Sequence, residues 1–202
     1  MLTFNEKPVG KFVNILADGL MRLVVTEETV GAKKRDYETS SGEKGTKYEL
    51  VFTELTGMIE KIGFWEGDYG KLIQITVKDG EEEPIILSIS TSGSFGEELM
   101  KKLPNVDLKK AVKIIPYSFI PDGKKNSKKG INIYQGDIKL GNYYYDEDTK
   151  KATNGYPNPK VTAGKKPSKD FWRKFFAEAR DFMIADTIKR FNVVEESKDE
   201  DF

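Results

Sequence analysis

Residues 46–65, TKYELVFTELTGMIEKIGFW, decide how the chain is read. Apolar residues alternate at Tyr48, Leu50 and Phe52, and the parity then changes to Leu55, Gly57 and Ile59. Alternation at period two lays one face of a strand on a core, and a one-residue change of parity turns the following residues to the other face. A glycine beside that change lets the backbone bend. The spacing therefore predicts one long strand, starting at Tyr48, with a bulge or sharp bend inside it.

Two strands follow it. KLIQITVKDG (71–80) sets Ile73, Ile75 and Val77 on one face and Gln74, Thr76 and Lys78 on the other. PIILSIST (84–91) repeats the plan, with Ile85, Leu87 and Ile89 inward and Ser88 and Ser90 outward. SFGEELMKKLPNV (94–106) then spaces Phe95, Leu99 and Leu103 as a short helix that Pro104 ends. AVKIIPYSF (111–119) is a fourth strand with Val112 and Ile114 on the core face, and INIYQGDIKLGNYYY (131–145) is a fifth strand or a hairpin. A bent strand, two strands, a helix, then two strands is the order of an OB-fold barrel, which binds oligonucleotides on its second and third strands and on the loops joining strands 1–2 and 4–5.

The barrel core is thus expected over 48–145 within one domain spanning 1–191. Residues 1–47 form an N-terminal extension, in which KFVNILA and LMRLVV flank Asp18-Gly19, a strong hairpin signal. GAKKRDYETSSGEKG (31–45) reads as a long loop or a protruding ribbon, and 146–167 as a basic Pro/Gly/Lys-rich loop. Residues 168–191 are a long helix with Ser168 as N-cap and Phe171, Phe175, Phe182 and Ile188 as its apolar stripe, docked on the barrel or across a dimer. Residues 192–202 are expected to be disordered, because EESKDEDF is too acidic to bury apolar surface.

The chain has no Cys and no His. That removes disulfides, thiolate metal sites and serine–histidine or cysteine–histidine catalysis, and leaves only carboxylate, Lys, Tyr or Ser/Thr chemistry. The N-terminus lacks the pattern of a signal peptide and no apolar run approaches the roughly 20 residues of a membrane helix, so a cytoplasmic protein without membrane contact or cofactor is expected. SGSFGEEL (92–99) is not a P-loop, lacking Lys-Ser/Thr after its glycines. The formal charge of zero hides an asymmetry: 195–202 hold five acids and one Lys, leaving 32 bases and 28 acids in the body. Residues 124–169 alone hold eleven lysines against four acids. A basic body suggests a polyanionic ligand, with an acidic tail able to compete for the same surface.

On the barrel frame, GFWEGDYG (63–70) offers Phe64, Trp65 and Tyr69, and the 4–5 loop offers Lys124, Lys125, Lys128 and Lys129. Gln74, Thr76 and Lys78 line the face between them; Tyr117, Phe119 and Tyr134 add rings, and Lys33, Lys34 and Arg35 extend the basic path. Rings beside lysines suit single-stranded DNA, whose bases stack for about 1–3 kcal/mol each and whose phosphates attract cations.

With barrel order, basic aromatic loops and DEDF (199–202) assembled, the chain resembles the single-stranded DNA-binding proteins of bacteriophages, and its end is similar to that of the bacterial ones. The resemblance implies sequence-tolerant protection of single strands in replication, recombination and repair by a non-catalytic monomer or dimer. It also implies that Asp199, Glu200, Asp201 and Phe202 recruit replication or recombination proteins, the ring entering a pocket and the terminal carboxylate meeting a basic rim. The chain departs from a minimal OB-fold in its first 47 residues and in the helix at 168–191. Other readings are an annealing or RNA-binding variant, a metal-dependent nuclease, or an adaptor whose tail mimics nucleic acid.

Overall fold

The computed structural model describes residues 10–39, 41–67, 70–161, 164, 166–191, 193 and 195–196. The Asp18-Gly19 signal gives the expected hairpin of β1 (Lys11–Ile15) and β2 (Met21–Val25). Leu20 N–H donates to Asp18 Oδ1 at 3.0 Å, and Gly19 takes φ +81°. The polar stretch that follows is a ribbon of β3 (Lys33–Glu38) and β4 (Lys44–Phe52).

The parity change after Phe52 is a break between two strands rather than a bend within one. Thr53 and Glu54 separate β4 from β5 (Leu55–Gly67), and β4 pairs with β2 and β3. The single long strand expected from Tyr48 is therefore corrected to two strands, β4 ending at Phe52 and β5 starting at Leu55. The bulge lies further on, between Ile59 and Lys61. Gly57 has its own reason: a Cβ there would stand 2.5 Å from the Lys78 carbonyl oxygen.

From β5 the order follows the sequence reading: β6 (Gly70–Lys78), β7 (Ile85–Ser90), α1 (Ser94–Lys102), β8 (Val112–Phe119) and β9 (Lys128–Gln135). β5, β6 and β7 form an antiparallel meander, β8 returns to pair Leu55–Gly57 with Val112–Ile114, and β9 pairs with β8. A closed barrel would then need β7 beside β9, and that pairing is not formed. The free edge of β7 is taken instead by β1, in parallel, with Val13 opposite Leu87. The result is an open sheet in the order β10-β9-β8-β5-β6-β7-β1-β2-β4-β3, where β10 is Ile138–Lys139.

α1 packs against both β9 and β7 and fills the space between them. Its Leu99 and Met100 are fully buried with Ile73, Ile75, Leu87, Ile114, Ile131 and Ile133 from the sheet. Lys102 Nζ, buried, donates at 2.6 Å to the carbonyl of Ile131, which faces a Pro116 with no N–H to give, and at 2.6 Å to Glu98.

After the small hairpin of β11 (Tyr145–Asp146) and β12 (Lys151–Ala152), α2 (Lys169–Phe191) docks on its own chain. Ser168 Oγ accepts from Phe171 N–H at 3.1 Å, as an N-cap should. The buried stripe runs through Ala179, Met183, Ile184 and Thr187, while Phe171 and Phe175 are only partly covered. Tyr144 is the buried anchor: its hydroxyl donates to Asp186 at 2.7 Å, and burial, then that carboxylate, hold its pKa far above the tyrosine range. Beyond α2, Glu195–Glu196 form β13, a two-residue parallel strand on Phe64–Trp65 of β5, where a disordered segment was expected.

Candidate nucleic-acid interface

Several connections converge on one end of the sheet. The β5–β6 turn closes at Gly67–Gly70, and Leu72 just inside it faces both Trp65 and Ser90. The backbone of Ser90 lies against Gly96 of α1, whose added Cβ would stand 2.2 Å from its carbonyl oxygen. Half a turn on, Glu98 reaches Tyr117 and Gly130 at the root of the β8–β9 turn. The β1–β2 turn arrives there too, because a Cβ on Gly19 would stand 2.6 Å from the Ser118 nitrogen. Trp65 and the β8–β9 lysines thus belong to one region of the molecule.

From that end two aromatic and basic surfaces extend. The first is the outer face of β5, β6, β7 and β1. Trp65, Gln74, Thr76 and Lys78 share it, each partly exposed, opposite the buried Ile73, Ile75 and Val77. In register, Gln74 faces Ser88 and Ser88 faces Asn14, while Thr76 faces Ile86 and Ile86 faces Phe12. Phe12 is 42% exposed, a ring on this face that the sequence reading did not select. Its signal was the alternation in KFVNI, where Val13 is core and Phe12 must point the other way.

The second surface is the outer face of β8 and β9. Phe119 faces Lys128, Tyr117 faces Gly130, and Lys113 faces Tyr134, with the Lys113 ammonium 5.8 Å from the Tyr134 ring centre. Glycine at 130 makes room for Tyr117, whose hydroxyl would lie 2.5 Å from a Cβ there. Burial, then the Glu98 charge, raise the Tyr117 pKa, so it stays a neutral ring and hydrogen-bond donor. Tyr117 and Phe119 rings lie 5.9 Å apart, and Phe119 is half exposed. Lys124, Lys125 and Lys128 are exposed and Lys129 partly so.

Two expectations change. Phe64 is 2% exposed and belongs to the core. After the bulge, Ile62 and Phe64 share the inward parity, so Phe64 offers no face to a base. Lys33, Lys34 and Arg35 lie on β3 at the far edge of the sheet, with β4, β2, β1 and β7 between them and the β5–β6 face. Arg35 is also committed: its Nε and Nη2 donate to the buried Glu49 at 2.8 and 2.6 Å, and Arg22 Nη1 adds a bond at 3.3 Å. The Arg35 bonds, above all, hold the Glu49 carboxyl below the usual carboxylate range. Tyr69 and the quartet Asp199, Glu200, Asp201 and Phe202 lie outside the described residues.

A hollow of about 320 Å³ opens between α1, the β11–β12 hairpin and α2, lined by Lys101, Tyr145, Lys150, Tyr156 and Phe175 among others. Among the described residues no group of three or more acidic side chains is arranged to hold a metal ion, and no helix is long and apolar enough to cross a membrane. Comparison with protein-family models, with curated proteins and with solved structures finds no match.

Proposed function

We propose that this chain binds single-stranded DNA with little regard to sequence, and that its acidic end recruits other proteins of DNA replication or recombination. One observation carries the reading: the partly exposed rings of Trp65 and Tyr117 and the half-exposed ring of Phe119 share one end of the molecule with Lys124, Lys125, Lys128 and Lys129. Rings that stack on any base and lysines that meet phosphates are what an unpaired strand requires, whereas a duplex hides its bases and leaves only the electrostatic attraction. The strand order further supports an OB-like reading. A β5–β6–β7 meander, α1 before β8, and β8 returning to β5 are shared with that fold, and closure onto β7 is replaced by β1.

The test is a salt titration of binding to fluorescent oligo-dT beside a duplex of equal length. The single strand should bind more tightly, with log affinity falling linearly in log salt. Neutralising the tail (Asp199→Asn, Glu200→Gln, Asp201→Asn) should tighten binding further if the acids compete for the groove. Equal affinity for both nucleic acids sinks the reading, and Mg²⁺-dependent loss of the oligonucleotide would replace it with a nuclease.

A further inference from the structure

The inward stripe of α2 does not stop where the body stops. Ala179 and Met183 are buried, but one and two turns earlier the same stripe carries Phe176 and Trp172. Phe176 is 48% exposed and Trp172 only partly covered. Their rings stack on each other at 5.8 Å and 25°, with Phe171 and Phe175 set edge-on to Trp172 at 5.3 and 5.9 Å. Four rings on two turns of helix, none fully buried, are more apolar surface than a helix end needs to hold itself in place.

The surroundings say what would cover them. Lys166, Lys169, Arg173 and Lys174 are exposed on or just before these turns, and the acid among them, Asp170, is already paired with Arg173 at 3.2 Å. A purely apolar partner would leave these cations stranded beside it, whereas a polyanion with flat apolar groups satisfies both. The platform is also continuous with the second surface. Tyr117 and Glu98 both border Gly130, Lys101 is the next residue on that side of α1, and Lys101 and Phe175 line the same hollow. Glu97 and Glu98 along this route are neutralised by Lys101 and Lys102 at 2.6–3.3 Å.

Resting on the function proposed above, we infer that the first two turns of α2 are a second base-stacking platform, which takes a strand onward from the sheet and lengthens the site. The chain's own acidic end is a poorer occupant. The acidic end would bring carboxylates but no second ring beyond Phe202, whereas an unpaired strand brings a base with every phosphate.

The chain has two tryptophans, so the part of the emission change that Trp172→Phe removes from the unmodified protein reports Trp172. Of two dT oligomers, one of roughly 6 nucleotides falls within the roughly 4–16 that one groove covers and one of roughly 40 extends well beyond it. The long oligomer should quench Trp172 and the short one should not, although both bind. In the unmodified background, Trp172→Ala/Phe176→Ala should weaken the long oligomer roughly 5- to 150-fold and the short one little, the range expected when one or more stacks are removed. Unchanged Trp172 emission on binding the long oligomer overturns the inference. So does emission that depends on protein concentration without DNA, which marks a contact between copies. A response abolished by Asp199→Asn, Glu200→Gln and Asp201→Asn assigns the surface to the acidic end instead. If the unmodified protein binds neither oligomer, the functional reading itself falls.

Discussion

Glu49→Gln is the sharpest test of how the N-terminal strands are held to the sheet. Glu49 is 2% exposed on β4, where it accepts two bonds from Arg35 and one from Arg22, whose own Nε goes without a partner among the described residues. Gln keeps one acceptor oxygen and the shape, but loses the charge and turns an N–H₂ toward two cations. A hydrogen bond to a charged group is worth about 1.5–3 kcal/mol when buried. The Arg35 side chain is 34% exposed, so water screens its share to about 1 kcal/mol, while Arg22 at 17% keeps more. The expected loss is about 2–3 kcal/mol, or roughly 4–12 °C in Tm for a chain of this size.

Urea unfolding of both proteins at a series of pH values is the assay. The Glu49 pKa is depressed in the folded state, chiefly by Arg35. Its contribution is therefore present above the ordinary Glu value of about 4.3 and is lost as pH falls through the depressed value. The gap between wild type and variant should be full at pH 7 and close in acid, where the wild-type carboxyl is also neutral. A gap below about 0.5 kcal/mol at pH 7, or one that stays constant to the acid limit of folding, refutes the reasoning.

Three further outcomes are expected. Gly19→Ala should cost about 2 kcal/mol or more in urea unfolding, because φ +81° alone costs an L-residue about 1–2 kcal/mol and the new Cβ would press on the Ser118 backbone. Tyr144→Phe should cost about 1–3 kcal/mol by leaving Asp186 short of a donor, and ultraviolet titration of the wild type should find one of the nine tyrosines still protonated until alkaline unfolding. Lys124→Gln with Lys125→Gln and Lys128→Gln should flatten the salt dependence of oligo-dT binding by about 0.7 in log–log slope for each phosphate no longer neutralised, leaving stability unchanged; an unaltered slope would remove these lysines from the interface.

Local order was legible in the sequence and long-range closure was not. β6, β7, β8 and α1 follow directly from period-two and helical spacing, because one face of each must be buried. The parity change at Thr53-Glu54 was visible, but a bend and a break share that signature until the partner strands are known. Nothing local distinguishes whether β7 pairs with β9 or with β1, since both edges are apolar. The choice is made by residues some 45 positions after β7 or some 70 before it. On α2 the large rings drew attention away from Ala179 and Thr187, which are buried because small side chains let the helix approach the body. Phe64 was readable from the parity of Ile62, while Trp65, one residue on, lies partly exposed on the opposite face of β5 rather than in a loop.

The parallel seam between β1 and β7 has a consequence for how the chain is made. β1 and β2 leave the ribosome well before β7 and can zip at once through Asp18-Gly19, with β4 and β3 adding soon after. The other edge of β1 must wait for Ile85–Ser90, some 70 residues later, which is roughly 4–14 s at ordinary rates of synthesis. Throughout that interval KFVNI presents an unpaired edge to any neighbouring nascent chain, a template for mispairing. Lys11 and Asn14, exposed on this strand, are the kind of residue that discourages such pairing. Maturation should accordingly be slow and sensitive to crowding of unfinished chains, with completion of the sheet gated by the arrival of β7 rather than by the collapse of either half.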